Sequence, residues 1–257
     1  MKDAIIDALR TIEREQQVRV LLAVESGSRA WGFASPDSDY DVRFIYVHPR
    51  DWYLSVLEER DVIERMLPGH LDVSGWDLRK TLRLFARCNL ALNEWLGSPQ
   101  TYIEETRFRA ALATLIPKFF NPIAGMYHYR KMAQAAFEGH YVDGRIGIKK
   151  IFYVLRPLLA CRWIENTRSQ PPTEFARLVA AEWVTGRERQ WIGELLEAKA
   201  VAMEAQPVSI DAERAVELRS EISHYESIAS ALPAPEKAPL DDLDHLLRHW
   251  ASTCADA

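Results

Sequence analysis

Apolar side chains recur at Ile5, Ile6, Leu9 and Ile12 between Lys2 and Gln16, which is the spacing of one helix face. The period then changes. Residues 18–26, VRVLLAVES, form an almost continuous apolar run ending at Ser26 and predict a buried strand. GSRAWGFASPDSD follows, dense in Gly, Ser, Pro and Asp, and predicts a loop or a short helical turn. Tyr40 to Val47, YDVRFIYV, is β-branched and aromatic and predicts a second strand. Between Asp61 and Trp76 the pattern predicts two short strands about the turn Leu67-Pro68-Gly69-His70, the second being LDVSGW. DLRKTLRLFARC returns to helical spacing, with Leu78, Leu82 and Phe85 on one side and Asp77 as the expected N-cap.

From Asn89 onward the pattern is helical with short breaks. Helices are expected near Leu90–Leu96, Glu104–Leu115, Ile123–Phe137, Ile146–Trp163, Glu174–Val184, Arg187–Ala205 and Ala212–Ala231. LPAPEKAP, residues 232–239, reads as a Pro-rich linker, and Leu240 to Trp250 as a last amphipathic helix. These elements predict an α+β chain. A small mixed-sheet domain is expected over residues 1–100 and an all-helical domain over 101–231, followed by the linker and a C-terminal helical segment at 240–257.

Composition narrows the function classes. With 48% hydrophobic residues and 27% charged, the 257-residue chain is that of an ordinary globular protein able to bury a sizeable core. The net charge of -5 argues against holding a long nucleic-acid duplex by bulk charge, so any such contact has to be local. Cys88, Cys161 and Cys254 are odd in number and widely spaced, which favours a reducing compartment. The charged, amphipathic start lacks the apolar core of a signal peptide, and no apolar run is long enough to cross a bilayer. A cytoplasmic protein with no membrane partner is the expectation.

The candidate chemistry lies in residues 25–43, ESGSRAWGFASPDSDYDVR. Gly27 and Ser28 follow a buried strand and open a turn or helix. Backbone N–H groups at such a start suit an anion such as a triphosphate, and a glycine lets phosphate approach the backbone closely. Asp39 and Asp41 stand two apart at the start of a strand, so their side chains share a face. Paired carboxylates repel one another without a cation and suit a hard, oxygen-seeking ion such as Mg²⁺. The plainer alternative is a solvated turn in which Asp37 and Asp39 cap local N–H groups.

Gly27-Ser28, ten intervening residues, then Asp39-Tyr40-Asp41 resembles the signature of the DNA-polymerase-beta-like nucleotidyltransferases. SRAWGFASPDSDYDVR, GWDLRKTLRL, NEWLGSP, HYRKMA and KKIFYVLRPLLACRW resemble more closely the predicted nucleotidyltransferases of the RNA-repair-pathway polymerase-beta type, over roughly residues 25–175. The resemblance implies a polymerase-beta-like catalytic domain in which Gly27 and Ser28 hold a nucleoside triphosphate. It implies that Asp39 and Asp41 bind Mg²⁺ (or Mn²⁺) and that a third carboxylate on a neighbouring strand completes the site. Asp72, in an apolar-Asp-apolar context, is the first choice for that carboxylate, and Asp77, in GWDLRK, is the alternative.

Further basic residues are candidates for nucleotide. Arg29 follows Ser28 directly, and Arg43 lies two beyond Asp41, where it can pair with that carboxylate. Arg145, Lys149 and Arg156 fall on one stripe of the expected helix 146–163, with Phe152 between them and Pro157 expected to bend it. Lys149 and Arg156 are the nucleotide-binding candidates of this stripe, and a merely solvated cationic face is the alternative. Tyr129 and Arg130 in HYRKMA could stack on a base and hold phosphate, or Tyr129 or His128 could simply be core. Lys80 is a weaker phosphate candidate, and Trp31 is the one tryptophan inside the motif loop.

The expected activity is transfer of a nucleoside monophosphate from a nucleoside triphosphate to an acceptor with release of pyrophosphate. The acceptor stays open among an RNA end, a protein hydroxyl and a small molecule. The rivals are a non-catalytic nucleotide- or partner-binding module and an antitoxin-like regulator on the same fold.

Overall fold

The computed structural model describes residues 1–35, 38–201 and 206–254. The chain divides into two compact units, one of residues 1–30, 39–119 and 237–257, the other of residues 31–38 and 120–236. It is an α+β protein.

The first unit is built on a five-stranded mixed sheet of order β3-β4-β2-β1-β5. Its strands are β1 (Arg19–Glu25), β2 (Tyr40–Val47), β3 (Val62–Leu67), β4 (Leu71–Asp77) and β5 (Thr101–Glu104). β2 pairs antiparallel with β1 and parallel with β4, with Asp41 beside Asp72 and Tyr46 beside Asp77. β1 is buried from Val20 to Glu25, as its unbroken apolar run requires of a strand covered on both faces. β4 alternates buried and half-buried residues, and β3 is the open edge beyond it.

Helix α1 (Lys2–Gln16) buries Ile5, Leu9 and Ile12 on one face of the sheet, against Val42, Phe44, Tyr46, Leu71 and Val73. Taking these three side chains out of water is worth roughly 5–9 kcal/mol at most. It ends at Gln17, whose left-handed φ of 52° lets its N–H return to the carbonyl of Glu13. The opposite face carries α3 (Leu78–Ala86), α4 (Leu90–Leu96), α5 (Thr106–Phe119) and the C-terminal helix, whose Leu243, Leu246 and Trp250 share that core. Residue 100 therefore lies inside this unit: the chain past it pairs as β5 with β1 and then adds α5 to the same core. Between β1 and β2 the motif segment forms the short helix α2 (Gly27–Trp31).

The second unit consists of α6 (Pro122–His140), α7 (Ile148–Thr167), α8 (Phe175–Val179), α9 (Gly186–Val201) and α10 (Ala212–Ala231). It also holds a two-stranded antiparallel ribbon of β6 (Arg145–Gly147) and β7 (Pro207–Ser209). The last helix of the chain, α11, is Asp241–Thr253. Arg145 and Ile146 are thus ribbon residues, and α7 starts after them and continues through Pro157. Trp31 and Phe33 pack with Tyr153, Phe152 and Phe175 in an aromatic cluster. The expected end of helix 187–205 lies at residues 202–205, outside the described residues.

Candidate nucleotide and metal site

The geometry begins where β1 ends. Glu25 is fully buried, and one of its carboxylate oxygens accepts the backbone N–H of Asp41 at 2.8 Å while the other accepts the Tyr102 hydroxyl. Burial raises the Glu25 carboxyl above its ordinary range and the nearby Asp41 charge adds to this, while the two hydrogen bonds oppose it. Ser26 N–H donates to the Asp41 carbonyl at 2.8 Å. The backbone of Asp41 is therefore held from both ends of one residue by the β1 terminus.

Gly27 comes next, with φ at +61°. A Cβ added there would lie 2.6 Å from Oδ2 of Asp41. Glycine is required twice, by the left-handed backbone and by the carboxylate resting against it.

On β2, Asp41 and Arg43 share the face opposite α1. The parallel register sets Asp72 beside Asp41. Arg43 Nη2 joins the two carboxylates, 3.2 Å from Asp41 Oδ1 and 2.8 Å from Asp72 Oδ2, and Nη1 donates to the Val42 and Asp72 carbonyls. Both carboxylates stay about one-third exposed, at 35% and 33%. Two acids and one guanidinium sum to a local charge of minus one, so the pair still attracts a cation.

Asp39 does not join them. Its carboxylate is 3.3 Å from Nδ1 of His70, which with Gly69 takes a left-handed φ in the turn between β3 and β4. Among the described residues, no three His, Cys, Asp or Glu side chains converge as a ready-made metal cluster. Arg29 lies 3.8 Å over the Tyr40 ring and donates to the Asp39 carbonyl at 3.0 Å, which ties α2 to the strand entry. Ser28 is buried beside it. Pro36 and Asp37 lie outside the described residues.

Asp77 occupies a different place. It is fully buried, caps α3 by accepting Arg79 N–H at 2.8 Å, and accepts the Tyr53 hydroxyl at 2.6 Å. It stands five residues along β4 from Asp72, about 17 Å away at the rise of a strand. Burial raises its carboxyl above the ordinary range, opposed by these hydrogen bonds.

The remaining candidates divide between the units. Lys80 is paired with Asp61 at 2.9 Å. Lys149 is half-buried on α7 in the second unit. Arg156, a nucleotide-binding candidate on the expected basic stripe, is 1% exposed within that unit. Its guanidinium lies 4.4 Å over Trp31 and donates to the Thr173 carbonyl at 3.3 Å. The stripe fails because Arg145 precedes the helix and because Phe152, on the same side, is core. In HYRKMA, Tyr129 is fully buried and His128 exposed, while Arg130 is buried and bonds Gln134 at 2.9 Å.

Sequence reasoning passed over Glu25, Tyr102 and His70. A lone acid closing an otherwise apolar strand was the available signal for Glu25. Nothing in the sequence points to the other two, since their partners come from β-pairing. Lys199, 2% exposed and bonded to Ser35 Oγ, is likewise visible only in three dimensions.

The RlaP family, described as the RNA repair pathway DNA polymerase beta family, matches residues 1–249. A relative described as the uncharacterized protein YcgL of Bacillus subtilis (strain 168) is 46% identical over 232 residues, covering 86% of this chain and 89% of its own. A nucleotidyltransferase-like protein from Exiguobacterium sibiricum 255-15 aligns over 96% of this chain and 77% of its own, at 14% identity. Its TM-score of 0.31 is too low to carry an argument.

Proposed function

The chain belongs to the RNA repair pathway DNA polymerase beta family, and on that premise we propose that it is a divalent-metal-dependent nucleotidyltransferase, moving a nucleoside monophosphate from a nucleoside triphosphate to an acceptor. The observation that carries the reading is the register that sets Asp41 and Asp72 side by side, against the Gly27 backbone and joined by one guanidinium.

The donor set fits Mg²⁺ or Mn²⁺. Asp41 and Asp72 offer hard carboxylate oxygens, partly exposed, and the positive charge of Arg43 already sits where a cation is favoured. Asp41 and Asp72 would hold the ion, with Asp39 joining once its carboxylate leaves His70. Held by Asp41 and Asp72, such an ion would supply charge neutralisation for the triphosphate.

The chain's own groups do the rest. Gly27 leaves room for the Asp41 carboxylate against the backbone, Ser28 offers a hydroxyl, and Arg29 stands beside the Asp39 backbone where it can reach a phosphate oxygen. Glu25 fixes the backbone of Asp41 so that its carboxylate does not swing away. In the transfer, the acceptor oxygen forms a bond to the α-phosphorus as the bond to the bridging oxygen of pyrophosphate breaks. The acceptor proton passes to the Asp72 carboxylate. Arg156, enclosed by Trp31 and Thr173, is not free to hold phosphate.

An RNA end is the favoured acceptor because the family description names RNA repair. The pairing of Asp39 with His70 favours the second reading, a nucleotide-binding module without turnover. The two separate on pyrophosphate release. Mg²⁺-dependent release that falls at least a hundredfold in Asp41→Asn and Asp72→Asn supports the transferase. Tight metal-dependent nucleotide binding with no release in the presence of RNA supports the binding module.

A further inference from the structure

NEWLGSP, residues 93–99, runs almost directly into β5, and this stretch lies along the end of β1. Ser98 Oγ donates to the Glu25 carbonyl at 2.7 Å, and the Gln100 carbonyl accepts the Glu25 N–H at 2.9 Å. Gln100 Nε2 donates to the Arg29 carbonyl at 3.1 Å. Tyr102 completes the series by donating its hydroxyl to the Glu25 carboxylate. The alternate residues Ser98, Gln100 and Tyr102 thus all meet the chain at Glu25, just ahead of the Gly27-Ser28 motif.

Of the three, Tyr102 acts on the Glu25 side chain. Val24 belongs to the core on the α3 side of the sheet, so strand alternation turns Glu25 to the α1 side. Tyr102 packs against the α1-side core as well. Asp41, next to Val42 of that core, points to the opposite face. Glu25 and Tyr102 therefore meet Asp41 at its backbone, from behind the sheet, and are not placed as ligands of an ion held by Asp41 and Asp72.

The enclosed Glu25 carboxylate has both oxygens committed, one to the Asp41 N–H at 2.8 Å and the other to Tyr102. Arg29, stacked over Tyr40, adds a favourable charge. A buried oxygen that loses its donor is costly to leave unmet. The carboxylate relieves that cost by turning towards another donor, and turning takes its first oxygen off the Asp41 N–H. We propose that Tyr102 is a positioning residue of the metal site: through Glu25 it holds the Asp41 backbone, so that the Asp41 carboxylate stays beside Asp72. The role rests on the reading of Asp41 and Asp72 as the metal pair, and extends it to a residue that touches neither ion nor nucleotide.

Tyr102→Phe removes the hydroxyl and keeps the ring. Deuterium exchange of the Asp41 amide, followed by ¹⁵N NMR on the full chain, is expected to quicken about 3- to 10-fold, the worth of one hydrogen bond. The amides of the β1–β2 ladder are expected to hold their rates. Mn²⁺ affinity, read by electron paramagnetic resonance, is expected to fall by a similar factor. Asp77→Ala, which loosens the same unit away from the carboxylate pair, is expected to leave Mn²⁺ affinity unchanged, so a loss of stability alone does not mimic the effect. Asp41 exchange that is unaltered in Tyr102→Phe, or that quickens no more than the ladder, overturns the proposal even where the wild type binds Mn²⁺ tightly. Quickened exchange beside wild-type Mn²⁺ affinity overturns it equally. A wild type that binds no Mn²⁺ overturns the metal site itself, and this role with it.

Discussion

Gly27→Ala tests whether the motif glycine is there to seat Asp41. The substitution acts in two ways. An L residue held at φ +61° costs about 1–2 kcal/mol relative to glycine. The new Cβ would also lie 2.6 Å from Asp41 Oδ2, closer than such atoms approach, so the carboxylate must turn. Turning it off its rotamer and away from Arg43 adds roughly 0.5–1.5 kcal/mol. The expected destabilisation is therefore about 1.5–3.5 kcal/mol. Gly32→Ala is the control: its φ is +89°, yet nothing lies within 4 Å of an added Cβ. Urea denaturation of both variants isolates the contact, because both carry the backbone cost and only Gly27→Ala carries the clash. Mn²⁺ binding, read by electron paramagnetic resonance, is expected to weaken in Gly27→Ala alone. Equal destabilisation and equal metal affinity in the two variants would refute the argument that Asp41 rests on Gly27.

Other consequences follow from the buried acids and from His48, an imidazole that burial lowers. Glu25 is raised when folded, so the native chain holds its proton to higher pH than the unfolded chain does. Stability is then greatest below the ordinary carboxylate range and falls as pH rises through the raised value. Glu25→Gln is expected to flatten that fall, as measured by urea midpoints from pH 4.5 to 8. His48 has the opposite sign: lowered from 6.5 to about 4, it takes stability away as pH falls through that window. His48→Gln is expected to remove that loss. Asp77→Ala is expected to cost roughly 2–3 kcal/mol, from the α3 cap and the orphaned Tyr53 hydroxyl. Pyrophosphate release per folded molecule is expected to stay near wild type in Asp77→Ala; loss equal to that of Asp72→Asn would reverse the assignment of the third carboxylate.

The strongly periodic elements were legible in the sequence. Ile5, Leu9 and Ile12 mark α1, the unbroken run of β1 marks a strand covered on both faces, and the α10 boundaries match its pattern. The short elements were not. TYIE is four residues without alternation, and Arg145–Gly147 and Pro207–Ser209 are three each, so each becomes a strand only through its partner. Around Asp41, Gly27 and Ser28 could be placed from spacing, whereas the same spacing expected Asp39 beside Asp41 and the structure pairs it with His70 instead. Asp72 was the first choice from its apolar-Asp-apolar context, and the parallel register of β2 and β4, which no local pattern encodes, sets it rather than Asp77 beside Asp41. Arg156 was misplaced because a helical wheel counts an arginine as polar surface, while here the aromatic ring of Trp31 takes its guanidinium inward.

The central claim is that the carboxylates on β2 and β4 support nucleotidyl transfer. The most direct test is to offer each α-³²P-labelled nucleoside triphosphate, with Mg²⁺, to the protein together with pools of cellular RNA and of cellular protein. The account predicts label in an acceptor pool, RNA first, and its disappearance in Asp39→Asn, Asp41→Asn and Asp72→Asn. Label that persists in these variants, or no label in any pool beside metal-dependent nucleotide binding, would contradict it.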